Sequence, residues 1–161
     1  MSLPCIRVGM GYDVHQLVLG RELWIGGIKI NYEYGLLGHS DADVLIHAIC
    51  DAILGAANMR DIGYHFPDTS EKTLNMDSKI ILKKTIDLIS TKSYKLVNID
   101  ATICAEQPKI NPHIPAMTEC LSNIIKCDKE AISIKATTSE KMGFVGRKEG
   151  ISAYAVCLIA K

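Results

Sequence analysis

No pair of cysteines in this chain is spaced C-x-x-C, and no apolar run approaches the roughly 18 residues of a membrane-crossing helix. Charge of one sign is also missing, since 18 Lys and Arg balance 18 Asp and Glu. Each absence removes a class of function. A balanced charge leaves no basic footprint for nucleic acid or an anionic membrane, although a small anionic ligand needs only a local site. The six cysteines, at 5, 50, 104, 120, 127 and 157, form no obvious disulfide framework in a chain this long, and Cys50, Cys120 and Cys157 lie within apolar patterns. Pro4 and Arg7 interrupt any early apolar run, so no signal peptide is read there. Reduced thiols and the absence of targeting signals predict a cytoplasmic protein. There is no repeat, low-complexity tract or linker, and 161 residues suit a single domain over 1–161.

What is present is a globular composition, 48% hydrophobic and 22% charged, with strand and helix patterns interleaved. Residues 5–13 and 22–30 read as strands, with Gly20, Gly26 and Gly27 marking a turn and a bulge. After a loop over 31–40, a helix is expected over 41–57, with Ser40 as N-cap and Asp43 completing a capping box. A loop over 58–76 precedes a second helix from about Asp77 to Thr91. Residues 95–105 alternate, with Val97, Ile99, Ala101 and Ile103 on one side and Asn98, Asp100, Thr102 and Cys104 on the other. A third helix starts near Pro112 or Pro115, followed by strands over 131–137 and 151–160. The order predicts an α+β domain, a mostly antiparallel four-stranded sheet plus a small hairpin, with helices on one face.

Chemistry concentrates in the stretch GYDVHQL, Gly11 to Leu17, where Asp13 and His15 stand two apart and so share one side of a strand. The first helix supplies Asp43, His47 and Asp51 at i, i+4, i+8 on one face. Asp13, His15 and His47 would make a three-ligand metal set with one position open, with His47 oriented through its other nitrogen by Asp51 or Asp43. The competing reading is a polar strand end and an ordinary hydrogen-bonded histidine. His39 and Ser40 precede the helix, where backbone N–H groups favour anions. Thr137, Thr138, Ser139, Glu140 and Lys141 form a hydroxyl and charge cluster at a strand end, suited to phosphate oxygens and a bridging Mg2+. Arg147, behind Gly143 and Gly146, could clamp a further phosphate. A solvated loop remains the alternative for that segment.

Together GYDVH, GLLGHSDADVLIHAICDAILGAA, DIGYHFPDTS, AEQPK and KATTSEKMGFVGRKEGI resemble the 2-C-methyl-D-erythritol 2,4-cyclodiphosphate synthase family of the non-mevalonate (MEP) isoprenoid pathway, over essentially the whole chain. The resemblance implies a cyclising phosphorus–oxygen lyase that turns 4-diphosphocytidyl-2-C-methyl-D-erythritol 2-phosphate into the 2,4-cyclodiphosphate and CMP. It implies a homotrimer, with sheets packed around the threefold axis and active sites between subunits, so that Asn98, Asp100 and Thr102 face other subunits. By motif, Asp13, His15 and His47 resemble Zn2+ ligands, and Glu140 the contact to a Mg2+ or Mn2+ between the phosphates. His39 and Ser40, with Asp61, Ile62 and Gly63, would meet the methylerythritol phosphate. Phe66, Pro67, Asp68, Thr69 and Ser70 match its flexible loop. Ala105, Glu106, Gln107, Pro108, Lys109, Ile110 and Asn111 match its cytosine pocket, and Thr137, Thr138 and Ser139 its nucleotide-phosphate site. His39 and Thr138 resemble the residues that stabilise the transition state. Phe144 and Arg147 match positions near an axial cavity proposed to take an isoprenoid diphosphate. Among the departures, His65 adds an imidazole in the flexible loop that could bind adventitious metal. The alternative function is a non-catalytic metal- or phosphate-binding protein, which gives Thr137, Thr138 and Glu140 no role. An RNA-binding module is disfavoured by zero net charge and the lack of an aromatic platform.

Overall fold

The computed structural model describes residues 5–67 and 76–161. In chain order the elements are β1 (Ile6–Leu19), β2 (Leu23–Ile25), β3 (Ile28–Ile30), β4 (Tyr34–Leu36), α1 (Val44–Ala56), α2 (Ile62–His65), α3 (Ser78–Ser90), β5 (Lys95–Cys104), α4 (Ile114–Ile125), β6 (Ile132–Thr137), α5 (Gly143–Gly146) and β7 (Gly150–Ala160). The main sheet runs β4-β1-β7-β5-β6, and β2 pairs with β3 separately. Its neighbours are antiparallel except β5 and β6, which are parallel and joined through α4.

The class is α+β as expected, but the sheet is mixed and has five strands rather than four. The fifth, β4, lies in the stretch read as a loop; it has only three residues and pairs with Leu17–Leu19 because β1 runs six residues past its expected end at 13. The segment 22–30 is a hairpin rather than one bulged strand, turning at Gly26 and Gly27, whose φ values of 63° and 77° suit glycine. Val97, which the alternation places beside the buried Ile99, Ala101 and Ile103, is exposed, because the β5–β7 register shifts between Leu96 and Asn98.

The contact that seats α1 is written in small residues. Gly9, Gly11, Asp13 and His15 form the inward row of β1. A Cβ on Gly9 would lie 1.9 Å from the Ala52 carbonyl oxygen, and one on Gly11 would lie 2.0 Å from that of Ala48. The helix backbone thus rests on the strand backbone, with Ala48, Ala52 and Ala56 spaced four apart along the contact. At the helix start the N-cap is Asp43, not Ser40. The Asp43 carboxylate is fully buried and accepts from Ile46 N at 3.0 Å, Gly26 N at 2.9 Å and Gly27 N at 2.7 Å, so the hairpin turn is tied to α1. Burial pushes this carboxyl up while the three backbone donors pull against it.

The opposite face of the sheet is apolar and open. Ile6, Val8, Met10, Tyr12 and Val14 project from β1, with Val8 and Met10 each 65% exposed. Tyr154 and Val156 of β7 stand opposite Tyr12 and Met10. Asp100 on β5 and Lys135 on β6 form an ion pair beside them.

Gly11→Ala drives a methyl into the α1 backbone, which has no flexible side chain to give way. We expect a loss of roughly 3 kcal/mol or more, read as a fall in urea midpoint or as failure to fold. A variant as stable as wild type would show that the helix does not press on the strand as described.

Candidate active site

The same close contact places Asp13 and His15, further along the inward row, against the first turn of α1. Asp13 Oδ2 lies 2.9 Å from His15 Nε2 and 3.0 Å from His47 Nδ1, and the two ring nitrogens are 3.2 Å apart. The edge of a tetrahedron around zinc with nitrogen and oxygen ligands at about 2.0–2.1 Å is roughly 3.3 Å, so these atoms fit a divalent ion with one position left over. His15 Nδ1 donates to the Leu37 carbonyl at 3.0 Å, which leaves the Nε2 lone pair for the centre.

The electrostatics agree with a shared charge. Burial alone would push the Asp13 carboxyl up, but its contacts with the His15 and His47 imidazoles outweigh it and hold it down at about 2. Burial would lower the His47 imidazole, yet the Asp13 carboxylate and the nearby Asp43 and Asp41 raise it.

His47 is not oriented by Asp43 or Asp51. Asp43 is consumed as the helix cap, and Asp51 accepts from Ile62 N at 2.8 Å, holding the start of α2. His47 Nε2 instead meets Ser78 Oγ at 3.0 Å and Ser40 Oγ at 3.3 Å. Ser78 and its partner Asp41 escaped the sequence reading, since α3 lies far along the chain and no spacing links it to the site. Only the position of Ser78 in the first turn of an amphipathic helix hinted that its hydroxyl faces inward.

A cavity of about 400 Å3 opens at the three residues and is also lined by Gly38, His39, Ser40, Ile62, Gly63, Phe66 and Ile81. His39, Ser40, Ile62, Gly63 and Phe66 are therefore gathered as expected. Asp61 is not in the lining; it caps α2 by accepting from Tyr64 N at 2.9 Å. His65 Nε2 bonds to the Met59 carbonyl at 2.7 Å, which commits one of its ring nitrogens. Pro67 is exposed beyond the cavity, and Asp68, Thr69 and Ser70 lie outside the described residues.

A second pocket, about 180 Å3, is lined by Ala105, Pro108, Lys109, Ile110, Asn111, Ala136, Thr137 and Thr138. It joins the AEQPK loop to the end of β6. Glu106 and Gln107 are not among its walls. Glu106 Oε1 accepts from Ser139 N at 3.1 Å, Lys141 N at 3.1 Å and Ser139 Oγ at 3.3 Å; the bond from the Lys141 backbone leads in lowering its carboxyl. Glu140 accepts from Thr138 Oγ1 at 2.9 Å. Phe144 is partly exposed, and Arg147 makes a two-pronged pair with Glu149 at 2.9 Å per bond.

The sheet register relates the two pockets. His15 pairs with Ile151, and the adjoining Ser152 pairs with Cys104, which pairs with Thr137. Both pockets thus lie at one end of the sheet, on strands three spacings, roughly 14 Å, apart.

Residues 6–160 match the YgbB family. The chain belongs to the YgbB family. A family member from Bacteroides thetaiotaomicron named 2-C-methyl-D-erythritol 2,4-cyclodiphosphate synthase is 67% identical over 156 residues, 97% of this chain and 98% of the relative. The bifunctional IspDF of Campylobacter jejuni superimposes with a TM-score of 0.94 at 39% identity, covering 98% of this chain and 42% of that one. The IspF of Plasmodium falciparum, solved as a CDP complex, superimposes with a TM-score of 0.85 at 36% identity, covering 96% of each chain.

The raised His47 basicity has a consequence for metal binding. Without metal, the imidazolium–Asp13 contact is complete below the ordinary histidine value of 6.5 and is lost as pH climbs past the raised value. An ion at Nδ1 must displace that proton, whereas Asp13 stays ionised down to about 2. Zn2+ affinity, measured by chelator competition, is expected to rise up to about tenfold per pH unit from pH 6 upward, levelling above the His47 value. Affinity that does not change between pH 6 and pH 8 would contradict the assignment.

Proposed function

We propose that this chain, acting as one domain, converts 4-diphosphocytidyl-2-C-methyl-D-erythritol 2-phosphate into 2-C-methyl-D-erythritol 2,4-cyclodiphosphate and CMP. The observation that carries the reading is the Asp13–His15–His47 set, which opens into a cavity holding His39 and Ser40 at the same sheet end as the Thr137–Thr138 pocket. The name of the relative 67% identical to this chain supports the reaction, and the CDP held by the Plasmodium relative supports a cytidine nucleotide in the second pocket.

The reaction joins two ends of one molecule. An oxygen of the 2-phosphate forms a bond to the β-phosphorus, the bond from that phosphorus to the bridging oxygen breaks, and CMP leaves with the bridging oxygen. No protein nucleophile is needed, so the chain's work is to fold the substrate into line and to meet its charge. Asp13, His15 and His47 would hold Zn2+ and Glu140 would contact Mg2+ or Mn2+, ions that polarise phosphate oxygens when bound. His39 and Ser40 grip the methylerythritol phosphate, with the Ile62–Gly63 backbone beside them. Thr137 and Thr138 offer hydroxyls to the nucleotide phosphates. Lys109 and the backbone of Ala105 and of Pro108 to Asn111 take the base.

A homotrimer with active sites between subunits completes the picture. The open apolar face of β1 and β7 is larger than isolated surface residues account for and suits burial against further copies. Roughly 14 Å between strands bearing the two pockets suits sites in which one subunit's metal residues face a neighbour's nucleotide pocket. An isoprenoid diphosphate on the axis would lie near Phe144 and Arg147. Six free thiols fit a reducing, cytoplasmic setting.

The Zn2+- and Mg2+-loaded protein should release CMP from the cytidyl substrate, and a chelator should abolish that release. Metal-loaded protein that releases no CMP is a binding protein and not this enzyme. His47→Ala should keep its fold and lose stoichiometric zinc, as measured by metal analysis after dialysis. Met10→Asp with Val156→Asp should shift the sedimentation coefficient from trimer to monomer; an unchanged trimer would place the interface elsewhere.

A further inference from the structure

Behind the cavity runs a chain of polar groups without a role so far, buried at Ser78 and half-buried at Asp41. Behind His47, on the side away from Asp13, Ser78 Oγ lies 3.0 Å from Nε2 and donates its own proton to Asp41 Oδ1. Asp41 Oδ2 also accepts from Ser78 N at 3.0 Å. Ser78 is fully buried and His47 nearly so. Asp41 sits ahead of α1 and Ser78 in the first turn of α3, so the chain of bonds joins two separate elements at the imidazole.

The polarity of these bonds is dictated by chemistry. A carboxylate only accepts, and Ser78 has a single hydroxyl proton, which Asp41 takes. Ser78 Oγ therefore presents lone pairs to His47, so Nε2 must carry a proton. Ser40 Oγ, 3.3 Å from the same nitrogen, already accepts from Ala42 N at 3.0 Å and offers a second lone pair. With the proton held at Nε2, the neutral ring turns the Nδ1 lone pair toward Asp13 Oδ2 and His15 Nε2.

We propose that Asp41 and Ser78 are positioning residues: a carboxylate–hydroxyl relay that selects the His47 tautomer able to bind metal through Nδ1. The inference rests on the reading of Asp13, His15 and His47 as a metal site. It assigns work to two side chains that are not in the lining of the cavity at the three residues.

The relay makes an unusual prediction about two variants. Ser78→Ala removes the nearer acceptor from Nε2 and leaves only Ser40 Oγ at 3.3 Å, so the tautomer is weakly held. Asp41→Asn keeps the shape but, with its carbonyl oxygen held by Ser78 N at 3.0 Å, gives up the longer 3.3 Å bond from Asp43 N and reverses the rest: the new amide donates to Ser78 Oγ, and the freed hydroxyl proton turns to Nε2. That selects the tautomer with Nδ1 protonated, which opposes the metal. Zn2+ affinity by chelator competition should fall about tenfold in Ser78→Ala and about a hundredfold in Asp41→Asn, the range typical of lost outer partners of a ligand histidine. Ser78→Cys, which keeps a weak acceptor and a proton, should fall between wild type and Ser78→Ala. The visible absorption of the Co2+-loaded variants should weaken in the same order. A merely structural role would rank the variants by their metal-free unfolding midpoints instead, with the isosteric Asp41→Asn the milder change. Affinities within twofold of wild type, or that reversed order, would overturn the relay while wild type binds Zn2+ and His47→Ala does not. Failure of wild type itself to bind Zn2+ would overturn the metal reading and the relay with it.

Discussion

The arrangement depends on two backbones touching. Where Gly9 and Gly11 face Ala48, Ala52 and Ala56, helix and strand meet without the side-chain layer that normally separates them. Only that proximity lets a short carboxylate on β1 and an imidazole on α1 approach within hydrogen-bond distance. A thicker packing layer would leave Asp13 and His47 in the same fold but out of each other's reach. Asp43 fixes the other end of the helix through the hairpin turn, so α1 is held both along its flank and at its start.

Much of the centre was legible because it obeys local periodicity. Two residues apart on a strand put Asp13 and His15 on one side, and the pattern of α1 turned His47 inward. Spacing misleads where a side chain serves the backbone. Asp43 and Asp51 share a stripe with His47, and spacing alone makes them its natural partners. In the structure each satisfies an orphan backbone N–H at the start of a helix, α1 or α2. Ser78 was invisible for the complementary reason: a contact across 31 residues leaves no periodic trace. β4 and the bulge at Val97 were missed because three residues or one extra residue change the sheet without changing the pattern.

The two faces of the sheet divide the labour of the molecule. The inner face is committed to α1 and the core. The outer face carries bulky apolar side chains in register across β1 and β7, which a lone subunit would leave in water at a cost in hydrophobic free energy. The pockets lie at one end of the sheet, beside that apolar face rather than on it.

The Glu106 carboxylate bridges the two walls of the smaller pocket. One oxygen gathers the Ser139 and Lys141 backbone N–H groups, where Glu140 and Lys141 both adopt left-handed φ, at 54° and 64°. Such a conformation is unfavourable for non-glycine residues and persists when surrounding bonds enforce it. The AEQPK loop and the loop after β6 are therefore pinned together like the leaves of a clasp. A shift of either loop therefore strains the bonds that hold the other, so the two walls behave as one mechanical unit.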